Sequence, residues 1–230
     1  MPRTDTITTC LFDMDGTLID SETIWIEAIQ AALAAKAIAI SAEAVARLEY
    51  GRAWKEIFRD IHSRWPAAYT TIQEMEAFTV PYYEKVAATR DISIHGSVAL
   101  LKRLANEGYV IGIVSGSTRE RIAAVIDKLD IRSLVAGYVG GNDYPKGKPA
   151  PDGYLAGARL LGVRPSQCIV FEDAPAGIAS AKNAGMICVA LKETRSYMPS
   201  IQDANRIEAY LAQPDLELED LADFDFSMLP

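Results

Sequence analysis

The stretch Ile7-Thr8-Thr9-Cys10-Leu11-Phe12-Asp13-Met14-Asp15-Gly16-Thr17 changes character in one step. Ile7 to Phe12 is a short, mostly apolar run of the kind that forms a parallel strand buried on both faces. It stops at two acids that bracket one residue, and Gly16 follows so that the chain can turn sharply. Open α/β sheets bind their ligands where buried strands end in polar loops. Two carboxylates this close suit a hard divalent cation, and a carboxylate can attack phosphorus to form an aspartyl-phosphate. A solvated turn uses the same residue types, so the pair needs support from the rest of the chain.

Outward from that strand, the second half of the chain alternates strand and helix. The pattern predicts helices over Gly96–Glu107, Arg119–Leu129, Asp152–Leu161 and Ala176–Ala184. It predicts strands over Val110–Val114, Leu134–Val139, Gln167–Phe171 and Met186–Leu191. Such alternation implies a parallel sheet with helices on both faces. Between about Asp20 and Arg90 the rhythm breaks. Helical spacing recurs in Ile24–Ala35, Ala42–Leu48, Ala53–Arg64 and Gln73–Ala87, with no convincing strand between them. Loops in α/β units run about 2–6 residues, so this insert is expected to be a helical subdomain of its own. Placed directly after the first strand, it is expected to act as a cap over the active site. The expected division is residues 1–19 with 91–230 as an α/β core and 20–90 as an all-helical cap. In the acidic tail, Ile201–Ala212 is a candidate helix and Leu216–Phe226 a segment wrapping the core edge.

Composition narrows the function. Of the 230 residues, 50% are apolar and 23% charged, ordinary for a globular protein with a real core. Lys and Arg number 23 against 31 Asp and Glu, a net charge of −8, and no basic run offers a footprint for nucleic acid or anionic lipid. No apolar run reaches the roughly 20 residues of a membrane span, and the N-terminal residues are too polar for a signal peptide. Cys10, Cys168 and Cys188 sit in strand-like stretches and read as buried free thiols, so a cytoplasmic, reducing setting is expected. Neither histidine, His62 or His95, lies beside a candidate serine or metal cluster in sequence, which weighs against a Ser-His-Asp hydrolase.

Three further polar clusters stand just beyond predicted strands. Ser115-Gly116-Ser117-Thr118 follows Val114. Small hydroxyl residues and a glycine opening a helix make an anion site, although a plain N-cap has the same composition. Lys148, among the prolines of Lys146-Gly147-Lys148-Pro149-Ala150-Pro151-Asp152, is a fixed point charge that could offset repulsion between an anionic nucleophile and a phosphate. Glu172-Asp173 could complete a metal site with Asp13, or simply favour a helix N-terminus. Jointly these supply a carboxylate nucleophile, an anion cradle, a cation and a metal pair, the requirements of phosphoryl transfer.

Over nearly its whole length the chain resembles the haloacid dehalogenase-like (HAD) hydrolases. The matching motifs are Asp13-Met14-Asp15-Gly16-Thr17, Ser115, Lys148 within Gly147-Lys148-Pro149-Ala150-Pro151-Asp152, and Glu172-Asp173-Ala174-Pro175-Ala176-Gly177. The single insert resembles the small helical cap of the β-phosphoglucomutase-like and sugar-phosphatase branch. The resemblance implies a Rossmann-like parallel-sheet core and a Mg²⁺-dependent phosphomonoesterase acting on a small phosphorylated metabolite, a sugar or polyol phosphate. It implies that Asp13 attacks phosphorus and that Asp15 protonates the leaving alcohol and then activates water. Mg²⁺ would be held by Asp13, Asp173, Glu172 and Asp15, the last through its carbonyl. Thr17, Ser115, Gly116 and Lys148 would bind or order the phosphate site. An acid at position 15 separates this chain from the dehalogenase and phosphonatase branches, since cleaving a P–O bond needs a proton donor there.

Two departures bear on the alternative, a phosphosugar mutase. β-Phosphoglucomutases grip a second phosphate with a Lys-Gly-x-x-Arg stretch, whereas this chain has Tyr50-Gly51-Arg52-Ala53-Trp54. Where they carry a histidine after the first motif, this chain has Trp25. Trp25, Tyr50 and Trp54 would form a wall for a neutral substrate body or pack the cap's own core. Glu22, Arg52 and Arg119 are candidate polar contacts. A catalytically silent binding protein on the same fold would lack one of the motifs, and none is missing. A monomer or weak homodimer is expected.

Overall fold

A computed structural model describes residues 6–49, 54–192 and 212–229. Strand β1, Thr9–Phe12, is buried at every position. It pairs in parallel with β2, Val110–Val114, on one side and with β4, Cys168–Glu172, on the other. Strand β3, Val135–Val139, extends the sheet beyond β2, and β5, Ile187–Leu191, extends it beyond β4. A last strand, β6, Leu216–Leu218, pairs in parallel with β5. The described strands form one six-stranded sheet in the order β3-β2-β1-β4-β5-β6. The order turns back at β1, so the crevice beyond the carboxyl ends of β1 and β4 is the topological switch point where such sheets take ligands. The expected α/β class is the one observed.

Helix α7, Asp152–Leu160, packs on β2 and β3, while α8, Pro175–Asn183, packs on β4 and β5. Leu11, Val114, Val170, Tyr154, Ile178 and Cys188 share one buried cluster there. Successive strand residues face opposite ways, so Phe12 and Phe171 stand on the other face, stacked 4.6 Å apart. Phe224 meets Phe171 edge-on at 5.1 Å, and Arg103 of α5, His95–Asn106, donates to its carbonyl. Helix α6, Arg119–Lys128, lies against β3.

The chain divides into two compact units. One holds the residues up to Ile19 and, among the described residues, those from Ser93 onward. The other is Asp20–Ile92. The second unit is helical, with α1, Glu22–Ala34, α2, Ala42–Glu49, α3, Trp54–Arg64, and α4, Ile72–Thr89. Its core gathers Ile29, Leu33, Val45, Leu48, Ile57, Ile61, Tyr69 and Met75. The Tyr69 hydroxyl donates to the Ala32 carbonyl at 2.6 Å, and Thr71 caps α4 by accepting from Glu74 N at 3.1 Å. Where the chain leaves and re-enters the sheet unit, Ile94 N donates to Leu18 O at 2.9 Å. Among the described residues no helix is long and apolar enough to cross a membrane.

The tail departs most from expectation. The candidate helix over 201–212 lies almost entirely outside the described residues. Leu216–Leu218, expected only to wrap the edge, joins the sheet because Asp215 primes it. Its amide donates to Cys188 O and its carboxylate accepts from Cys188 N, both at 2.8 Å.

Candidate active site

The loop after β1 is folded against the loop after β4. Asp13 is buried, and its amide continues the ladder by donating to Phe171 O at 3.0 Å. The turn that follows needs Gly16 for two reasons. Its φ is +89°, and a Cβ there would lie 2.4 Å from Asp173 Oδ2. Thr17, fully buried, donates its hydroxyl to Asp173 Oδ1 at 2.8 Å. Thr17 thus orients an acid of the neighbouring loop.

Asp13, Glu172 and Asp173 converge, with one carboxylate oxygen from each within 4.8 Å of the others. All three are buried. Lys148 Nζ bonds Asp13 Oδ1 at 2.5 Å and also Glu172 Oε1. Tyr154 of α7, fully buried, donates to the same Glu172 oxygen at 2.9 Å. The amides of Asp173 and Ala174 donate to Glu172 Oε2 at 2.9 Å each. Gly177 leaves room for this carboxylate, since a Cβ there would fall 1.7 Å from Glu172 Oε1. The Lys148 loop is tied to α8, where Ser180 donates to Ala150 O at 2.6 Å and Asn183 to Pro149 O at 3.1 Å.

The electrostatics follow from burial. Desolvation pushes the Asp13 carboxyl well above the ordinary carboxylate range, against the opposing pull of Lys148. Burial alone would lower Lys148, but Asp13 and Glu172 outweigh it and hold the ammonium above its ordinary value. Burial, then the Glu172 charge, lifts the Tyr154 phenol well above its usual value, so it stays a hydrogen-bond donor. Among the described residues three buried acids meet beside one bonded ammonium, and buried charges are paired or coordinate metals. The donors are hard carboxylate oxygens, the set that Mg²⁺ takes. The residues therefore fit a divalent cation.

Asp15 is held elsewhere. Its Oδ2 accepts from Ser117 Oγ at 2.8 Å and Ser115 Oγ at 3.2 Å, and its Oδ1 from Arg121 Nη2 at 2.9 Å. Ser115 is buried at the end of β2, where its amide donates to Val139 O at 3.1 Å. Tyr144 donates to the Ser115 carbonyl at 3.2 Å. A Cβ at Gly141 would meet Gly116 O at 2.3 Å, so the loop after β3 lies flush against the serine loop. Gly116 itself has open space on its Cβ side. Thr118 is the N-cap of α6 and accepts from Arg121 N at 3.3 Å.

The structure thus brings Asp13, Lys148, Glu172 and Asp173 together, with Thr17 behind them and Ser115 on Asp15. Arg119 donates to Tyr138 O at 2.9 Å and Asp143 Oδ2 at 3.0 Å, its guanidinium over the Tyr138 ring. Glu22 opens α1 of the helical unit. Trp25 stacks on Tyr83 at 4.2 Å and lies 5.3 Å from Trp54, all three within that unit. Arg52 and Tyr50 lie outside the described residues. Three partners were not singled out from sequence: Ser117, Tyr154 and Arg121. Arg121 did carry a signal, because a cation in the first turn of a helix opposes the dipole and implies a nearby anion.

Comparison with known proteins accords with this geometry. A family model described as haloacid dehalogenase-like hydrolase matches residues 7–185. The chain is 33% identical over 213 residues to the validoxylamine A 7′-phosphate phosphatase of Streptomyces hygroscopicus subsp. limoneus, covering 93% of each chain. It is 31% identical to hexitol phosphatase A of Escherichia coli (strain K12), covering 79% of this chain and 81% of that one. Among solved structures, a predicted phosphoglycolate phosphatase from Haemophilus somnus 129PT superposes with a TM-score of 0.78 at 21% identity, covering 96% of this chain and 97% of that one. CbbY from Rhodobacter sphaeroides in complex with phosphate gives 0.77 at 21% identity, covering 97% and 99%. The two structures establish a shared fold; the family match and the relatives carry the assignment, and the chain belongs to the haloacid dehalogenase-like hydrolases.

Proposed function

We propose that the protein is a Mg²⁺-dependent phosphomonoesterase that hydrolyses a small sugar or polyol phosphate through an aspartyl-phosphate on Asp13. The observation that carries this reading is the buried convergence of Asp13, Glu172 and Asp173, with Lys148 bonded to the first two and a further acid, Asp15, two residues from Asp13. The phosphatases among the relatives support the substrate class.

In this reading an Asp13 oxygen attacks phosphorus and the bond to the leaving oxygen breaks. Asp15 gives its proton to that oxygen, releasing an alcohol. Water then attacks phosphorus, Asp15 takes a proton from it, and the Asp13–phosphorus bond breaks to give inorganic phosphate. Lys148 orients Asp13 and offsets the repulsion between carboxylate and phosphate. Ser115 and the Gly116 amide offer donors to the phosphoryl oxygens, and Thr17 fixes Asp173 by its hydrogen bond. Asp13, Asp173 and Glu172, with the Asp15 carbonyl, would hold Mg²⁺, which when bound neutralises charge on the phosphoryl group. Substrate choice is assigned to the helical unit, with Glu22, Trp25, Arg52 and Trp54 as candidates. Three buried free cysteines suit a reducing compartment, so the cytoplasm is the proposed location.

Asp13→Asn tests the mechanism. Mg²⁺-dependent phosphate release from a panel of sugar and polyol phosphates is expected to vanish in the variant. Release at the wild-type rate would sink it. Isomerisation of a hexose 1-phosphate primed with a bisphosphate, without net phosphate release, would favour a mutase instead.

A further inference from the structure

We infer that Arg121 is a positioning residue for the acid–base carboxylate: it anchors Asp15 by one oxygen while the other is passed from the serine hydroxyls to the reacting oxygen. The inference rests on the phosphomonoesterase reading above.

Asp15 Oδ2 occupies the hydroxyls of Ser115 and Ser117, on the loop beyond β2 that this reading gives to the phosphate. A phosphoryl group that takes those hydroxyls removes two donors from Oδ2. A carboxylate released on both oxygens would turn about its side-chain torsions, whose staggered wells lie close in energy. Arg121 prevents this, because its Nη2 bonds the opposite oxygen, Oδ1, at 2.9 Å. Oδ2 can then turn from the serine hydroxyls to give or take a proton while Arg121 holds Oδ1. Arrival of the phosphate and release of the acid become one event.

The placement of Arg121 supports a dedicated role. It sits in the first turn of α6, its amide fixed by the Thr118 hydroxyl at 3.3 Å. A cation there works against the helix dipole, and the carboxylate it meets offsets that cost. Side-chain exposure is 27% for Arg121 and 29% for Asp15, so the pair is sheltered enough for a charge-assisted bond to fix geometry.

The test separates proton transfer from phosphate binding by the choice of leaving group. Glycerol 3-phosphate releases an alkoxide that must be protonated, whereas p-nitrophenyl phosphate releases a phenolate that need not be. With Mg²⁺, R121A is expected to lower kcat for glycerol 3-phosphate by about tenfold to a hundredfold with KM nearly unchanged. With p-nitrophenyl phosphate, the single-turnover burst of p-nitrophenol is expected to stay within about threefold of wild type. The turnover that follows slows, because water attack still needs a positioned base. R121K, which keeps the charge, is expected to restore much of the glycerol 3-phosphate turnover. Equal losses in burst and turnover, a KM effect alone, unaltered glycerol 3-phosphate turnover, or an R121K as impaired as R121A would each overturn the inference. Failure of the underlying reading looks different: the wild type would then release phosphate from neither probe, and the assignment of Arg121 would fall with it.

Discussion

Replacing Lys148 by methionine keeps the length of the side chain and removes the only positive charge that, among the described residues, is bonded to the buried acids Asp13 and Glu172. Side-chain exposures of 18% for Lys148, 7% for Asp13 and 0% for Glu172 leave little water to take over its role. Breaking a buried ion pair from one side costs about 3–5 kcal/mol, because the stranded charge stays buried. At about 2–4 °C per kcal/mol for a chain of this size, K148M should melt about 6–20 °C below wild type in EDTA. Mg²⁺ at a hundred times its Kd returns about 2.7 kcal/mol to the folded state, so the metal should rescue much of the loss. The pH dependence has a definite sign. Burial raises the folded-state value of Asp13 above its unfolded value, so the folded state binds more protons across that interval. That contribution to stability therefore falls as pH rises above the ordinary carboxylate range. Lys148 is the group that opposes the shift, so its removal enlarges it. The gap between K148M and wild type should widen toward pH 8 and narrow toward pH 5. Thermal unfolding in EDTA and in Mg²⁺ at both pH values measures this. A gap under about 2 °C in EDTA, or one that grows on acidification, would refute the reasoning.

Two other changes probe the supports of the same acids. Y154F deletes the hydroxyl that donates to Glu172 Oε1 and should cost about 1.5–3 kcal/mol in thermal unfolding, with a drop in kcat as Lys148 loses its fixed partner; a variant as stable and active as wild type would contradict this. G16A places a methyl group against Asp173 at a backbone φ of +89°, so the Mg²⁺ concentration for half-maximal activity should rise about tenfold to a hundredfold, and an unchanged Mg²⁺ titration would rule out Asp173 as a ligand.

The strands were legible because a parallel strand buried on both faces must be apolar throughout, as Cys10-Leu11-Phe12 and Cys168-Ile169-Val170-Phe171 are. The acids were legible because they stand where those runs stop. What sequence could not supply is the rotation of a helix about its own axis. Arg119 and Arg121 are two residues apart, about 200° around the helix. One turns to Asp143 and Tyr138, the other to Asp15, and spacing alone does not say which. Tyr154 was hidden for a related reason, since an aromatic on the apolar side of α7 reads as core, and it is core except for one oxygen atom. In Ser115-Gly116-Ser117-Thr118 the anion-site and N-cap readings competed. The structure divides the hydroxyls, two facing Asp15 and one capping α6. Strand β6 escaped because three residues carry too little periodicity, and its pairing depends on Asp215 bonding a distant strand.

The aromatic contact between Phe224 and Phe171 has a consequence for the order in which the site can form. Phe171 also stacks on Phe12, and these two rings immediately precede Glu172 and Asp13 in the chain. The segment carrying Phe224 and β6 therefore braces, from behind, the strand ends that hold the acids. During synthesis Asp13 leaves the ribosome long before that segment does. Until the segment arrives, β5 lacks its β6 partner and Phe171 lacks the edge-on ring of Phe224, and both are non-local contacts that close late. Asp13 is thus made before the segment that firms its surroundings, so a nascent chain carries the motif before the strand ends behind it are braced.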